Sequence, residues 1–162
     1  MTPRPTGERG LTLTELVLVI ALAGVVTLGL MSFYFNSQAT WIDGSTQAMT
    51  QREATQVVQV MTDSVHGAQS AVVFSSPDAL HEGLSLTFPD GHQCGFWWDQ
   101  TDSLVHHGEN QANDRGPIVT SKVERFELDR STSMVFLNRL EMRSANGQRV
   151  HVASSMALLN HP

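Results

Sequence analysis

The sequence predicts an α+β fold: a long N-terminal helix whose first half is transmembrane and whose second half packs on an antiparallel β-sheet head. Three observations predict it. Between Glu15 and Asp43 the chain carries no charged residue. From Ala54 to Ala68, apolar residues recur at three- and four-residue steps. After Gly67 the pattern changes to short β-branched and aromatic runs separated by turn residues.

Whole-chain composition hides this division. A length of 162 residues favours one domain with an appended segment. Ten Lys+Arg against sixteen Asp+Glu give a formal charge of −6 with no basic run, which argues against nucleic acid as a partner, since binding there needs clustered cations. Hydrophobic residues make up 41% and charged ones 16%, a balance that argues against bulk disorder. A single cysteine, Cys94, excludes an intrachain disulfide and any zinc site built from several thiolates.

The first ten residues hold Arg4, Glu8 and Arg9 and read as a basic leader on the cytoplasmic side. Residues 11–35 form the transmembrane half of the helix. Within them LVLVIALAGVVTLGLMSFYF, residues 16–35, is apolar all round. As a helix these residues rise about 30 Å, the thickness of a bilayer's hydrocarbon core. A buried core helix is one competing reading, but a chain this size has too much surface for its volume to surround such a helix. A cleaved secretory signal is the other, with Ala21-Leu22-Ala23 as the cut. The apolar run continues to Phe35, so that cut would leave a greasy N-terminus. Residues downstream of the span then face the extracytoplasmic space.

Glu15 stands at the mouth of the span. A carboxylate in the hydrocarbon costs roughly 2.5–3.5 kcal/mol on insertion scales, so it must snorkel to the headgroups or find a partner. Were the chain cut after Gly10, Leu11 would carry a new α-amine and Glu15 would be the fifth residue. The carboxylate would then have its own helix dipole and the amine of an adjacent copy as attractions.

At Gly10-Leu11-Thr12-Leu13-Thr14-Glu15, preceded by a basic ten-residue leader and followed at once by the apolar run, the chain resembles the type IV prepilins and the pseudopilins of type II secretion. The resemblance implies cleavage after Gly10 and N-methylation of Leu11 by a membrane prepilin peptidase. It also implies a role for Glu15 in recruitment and register, and assembly with other pilin or pseudopilin subunits by helix bundling in the inner membrane. Many major pilins carry a proline about twenty-two residues into the mature helix. Here no proline occurs between Thr6 and Ser76, so either Gly24 and Gly29 supply local softness instead or the helix is continuous.

Residues 36–67 are expected to continue the helix as its amphipathic half. Ala54, Val57, Val58, Met61, Val65 and Ala68 face a core, and Arg52, Glu53, Gln56, Gln59 and Asp63 face outward. His66 and Gly67 suit a helix end. Residues 68–162 form the β-rich head, with strands expected at Ser70–Phe74, Leu84–Phe88, Gly95–Trp98, Leu104–His106, Lys122–Asp129, Met134–Met142 and Gln148–Met156. Turns are expected at Pro89-Asp90-Gly91, at Ser144–Gly147 and over the polar stretch Glu109–Pro117. The order of these strands, with Phe96, Trp97 and Trp98 on one and Val123, Phe126 and Leu128 on another, is similar to the J-like pseudopilins and W-like minor pilins. The arginine those proteins carry before a terminal asparagine is Leu159 here, ahead of Asn160.

The head offers little chemistry. His92, His106 and His107 invite a metal, but adjacent strand residues point to opposite faces, so no metal and no cofactor is expected. Cys94 reads as a small buried residue, and no nucleophile elbow or phosphate loop occurs. Trp97 and Trp98 face opposite sides of one strand, so one of them is a candidate contact with a partner. Without its leader the chain has eight cations and fifteen acids, a charge of −7. The expected function is therefore structural, not enzymatic: a minor pilin or pseudopilin. The alternative is a single-span protein that never assembles and whose extracytoplasmic head binds a ligand.

Overall fold

A computed structural model describes residues 12–75, 81–109 and 113–159. The expected cleavage junction, Gly10 and Leu11, lies outside the described residues, as does Asn160. The chain divides into two compact units, Met1–Ile42 and Asp43–Pro162.

The first unit contains the start of α1 (Leu13–Gly67). Every large apolar side chain from Leu13 to Ile42 is at least half exposed. This stretch is long and apolar enough to cross a membrane, and none of it is buried within the protein. No break occurs at Gly24 or Gly29, so the helix is continuous without a proline kink. Hydroxyls inside it are satisfied locally: Thr27 Oγ1 donates to the Ala23 carbonyl at 2.8 Å and Thr40 Oγ1 to that of Asn36 at 2.9 Å.

In the second unit α1 runs on from Asp43 to Gly67, burying Thr50, Ala54, Val57, Met61 and Val65. Steps of three and four residues keep these on one face. Beyond the helix come β1 (Ser70–Ser75), β2 (His81–Thr87), β3 (Gln93–Asp99), β4 (Leu104–Gly108), β5 (Asp114–Pro117), β6 (Lys122–Arg130), β7 (Met134–Arg143) and β8 (Arg149–Ala157). They form two antiparallel sheets, β1-β2-β3-β4-β5 and β6-β7-β8, where a single sheet was expected. Both sheets and the helix face one core, in which Met61, Phe96, Phe126, Leu137 and Leu140 are fully buried.

The expected turns at Pro89-Asp90-Gly91 and Ser144–Gly147 are present. Gly91 and Gly147 take φ of 82° and 84°, values that favour glycine, and their N–H groups donate to the Phe88 and Ser144 carbonyls, both at 2.9 Å. β5 replaces part of the expected loop Glu109–Pro117. Its sequence, Asp-Arg-Gly-Pro, has no apolar alternation, and its proline is tolerated because it is an edge strand. The three-residue spacings of Val123 to Phe126 and Leu137 to Leu140 do not fit strict alternation. Register shifts between Val123 and Arg125 and between Leu137 and Leu140 restore all four side chains to the core.

Candidate functional site

The N-terminal residues of α1 form a closed local arrangement. Thr12 is the N-cap, and its Oγ1 accepts from the Glu15 N–H at 3.3 Å. In return the Glu15 carboxylate accepts from the Thr12 N–H and Oγ1, each at 2.9 Å. This is a capping box: Thr and Glu three apart satisfy each other's backbone donors at the helix start. The T-x-x-E spacing is visible in the sequence, where the helix dipole and the amine of an adjacent copy, rather than a capping box, were the partners expected for Glu15. Glu15 thus sits in the first helical turn.

In the second unit, β2, β3, β4 and β5 align Gly83, Trp97, His106 and Pro117 in one cross-strand row. Trp97 and His106 stack with centroids 6.1 Å apart and planes 13° apart. On the opposite face, Phe96 stacks on His107. His106 is clamped between two carboxylates: Nε2 lies 2.8 Å from Asp102 Oδ2, and Nδ1 lies 2.6 Å from Asp114 Oδ2. A neutral imidazole donates from one nitrogen only, so two ionised carboxylates at both nitrogens require the imidazolium. Burial pushes the His106 pKa down, but hydrogen bonds donated to Asp102 and Asp114 and both their charges outweigh it, leaving the pKa above the ordinary value. The two carboxylates approach opposite edges of the ring, so they do not converge on a common ion. Gly108 allows the tight return to β5, because a Cβ there would collide with the backbone of Asn113 and Asp114.

A third feature is an open groove of about 730 Å³ lined by Met49, Thr50, Glu53, Ser121, Arg143 and Asn146, among others. Glu53 was expected to face outward. It is half-buried instead and ties the helix to the segment before β6, accepting from Thr120 Oγ1 at 2.7 Å and from the Ser121 N–H at 2.8 Å. Burial raises the Glu53 pKa, and the hydrogen bonds from Thr120 and Ser121 more than reverse this, holding it below the ordinary carboxylate range. At the solvent face of β6–β8, Glu124 and Glu141 are bridged by Arg149 and flanked by Arg143 and Arg139.

No family model matches the chain, and no curated protein or solved structure resembles it closely enough to report.

Trp97 does not offer a contact surface: it is 3% exposed, covered by the row it shares with His106. The expectation that one tryptophan of this strand is exposed is not met, because Trp97 stacks on His106 and Trp98 packs against the core. Trp98 is half-buried against the core, and its buried Nε1 has no hydrogen-bond partner among the described residues. His92 packs on Phe88 in a turn, apart from the His106 clamp. Among the described residues no three His, Cys, Asp or Glu are arranged to hold a metal ion. Cys94 is half-buried; burial raises its thiol pKa, with the Arg115 charge opposing, the reverse of what a nucleophile needs. The clamp itself was missed, because Asp114 lay in a stretch read as a turn.

Proposed function

We propose that this chain is a prepilin-like structural subunit, a minor pilin or pseudopilin, anchored in the bacterial inner membrane with its head extracytoplasmic. Prepilin peptidase cuts it after Gly10 and methylates Leu11, and the subunit joins a pilus or type II secretion pseudopilus through its N-terminal helix. It is not an enzyme but the substrate of one.

The observation that carries this reading is the coincidence of the motif with the helix boundary. Thr12 caps the helix and Leu13 is its first residue, so a cut after Gly10 would fall two residues before the cap in sequence. Glu15 lies in that turn, and beyond it stands an apolar surface that is exposed among the described residues. Lipid and neighbouring helices of other subunits are the surroundings such a surface requires. In the membrane Glu15 would exchange its hydrogen bonds within the capping box for the amine of an adjacent copy.

Mass spectrometry of the chain isolated from its own membrane tests this. A mature N-terminus at methylated Leu11 is expected, and an intact Met1 or Thr2 would refute the reading. Glu15→Ala should be cleaved normally and excluded from filaments, whereas normal incorporation would contradict the role given to Glu15. The groove beside Glu53 favours a second reading, a tethered head that holds a small ligand and does not assemble. That reading requires the monomer to persist after cleavage-site substitution with its binding intact.

A further inference from the structure

The charge-free run contains two chemistries. From Leu16 to Phe33 its side chains are aliphatic or Phe, apart from small residues and Thr27 and Ser32. From Tyr34 to Ile42 it becomes polar but uncharged, with Asn36, Ser37, Gln38 and Thr40 set between Tyr34, Phe35 and Trp41. Lengths separate the two. Residues 16–35 rise about 30 Å, the hydrocarbon thickness, whereas residues 16–42 rise about 40 Å, close to a bilayer with its headgroups. The polar aromatic turns thus fall where the outer headgroups lie.

Trp41 is 78% exposed. Tyr34 is also exposed, and its phenol oxygen accepts from Gln38 Nε2 at 3.2 Å. Both rings have an apolar body and a polar tip, the combination that partitions to the membrane interface. A polar uncharged flank with an exposed indole donor fits phosphate and ester oxygens better than it fits a hydrocarbon or an apolar protein groove.

We propose that Trp41, with Tyr34, anchors α1 in the outer phospholipid headgroup layer and so fixes the depth of the helix. The occupant of this surface is lipid, not a second copy. From Glu15 to Trp41 the helix rises about 39 Å, so the anchor places Glu15 at the opposite headgroup layer. The unassembled subunit therefore keeps its carboxylate out of the hydrocarbon. This inference rests on the membrane reading above, and the following experiment separates the two.

The full chain is reconstituted at low protein-to-lipid ratio into vesicles of phosphatidylcholine and phosphatidylglycerol. The phosphatidylcholine is brominated near the carbonyl end of its chains, at mid-chain, or near the terminal methyl. Flotation with the vesicles is scored alongside tryptophan fluorescence. The expected result is flotation with quenching strongest for the shallow bromines, and loss of that quenched component in Trp41→Phe, where only Trp97 and Trp98 remain. Flotation with quenching equal or greater at the terminal methyl would place Trp41 in the hydrocarbon and overturn the anchor. Flotation without quenching, or quenching that appears only on dilution, would mean that water or a second copy covers Trp41 and would equally overturn it. Failure to float would overturn the membrane reading and the anchor together.

Discussion

Replacing His106 with Phe isolates the carboxylate clamp. The substitution keeps a flat ring against Trp97 and deletes both donors to Asp102 and Asp114. Hydrogen bonds involving an ionised group contribute roughly 1.5–3 kcal/mol each. The low end applies here, because the Asp102 and Asp114 side chains are 43% and 32% exposed and regain water when the donor leaves. The added apolar burial of Phe offsets part of the loss. The expected destabilisation at pH 6 is therefore about 2 kcal/mol. With a head of this size, that corresponds to a fall in Tm of roughly 6–10 °C.

The pH dependence is the sharper test, and its sign follows from the raised pKa. A folded value above the unfolded one means that the clamp's contribution is complete below about 6.5, the ordinary value for histidine, and is lost as pH rises through the folded pKa. The gap between the native chain and His106→Phe should thus be largest near pH 6 and shrink towards pH 9. Urea unfolding of the full chain in detergent micelles, followed by near-UV circular dichroism across that range, measures the gap. Imidazole nitrogen NMR of the native chain locates the titration directly. A gap that is flat with pH, or a His106 that is neutral at pH 6, would refute the claim that the ring is an imidazolium held by two carboxylates.

Two further substitutions probe the rest of the head. Glu53→Ala should cost about 1 kcal/mol at pH 7, because a partly solvated carboxylate loses its hydrogen bonds to Thr120 and Ser121. As the Glu53 pKa is depressed, that difference should hold down to about the ordinary carboxylate range and vanish as pH falls through the folded value, and persistence in stronger acid would contradict it. Met61→Ala, at a fully buried position facing both sheets, should cost about 3 kcal/mol in urea unfolding, whereas Met61→Leu should cost under about 1.5 kcal/mol. Equal effects of the two would mean that Met61 fills no specific volume.

What the sequence revealed, and what it concealed, follows from how far each signal reaches along the chain. The helix was legible because its evidence is local and repeated: every turn from Ala54 to Val65 places another apolar residue on the same face. Most strand positions were legible for the same reason, through alternation within a few residues. The split into two sheets was not, because it depends on which strand ends find partners, and β5 and β6 never pair despite being neighbours in sequence. Irregular spacings carried some of that information. Val123 with Phe126 and Leu137 with Leu140 each required a bulge, although the first pair had been expected to lie on a cleanly alternating strand. The clamp lay beyond reach for a different reason. His106 meets Asp102 within one turn of chain, but Asp114 reaches it only because Gly108 lets β5 fold back tightly on β4. Pairwise spacing identifies such a cluster only after the topology is known. The candidate site of the N-terminal half shows the converse. Its residues are contiguous and its capping box is a four-residue pattern, so the elements that carry the proposed assembly function were all written in one stretch of chain. A site made of local sequence needs no folded head to form it.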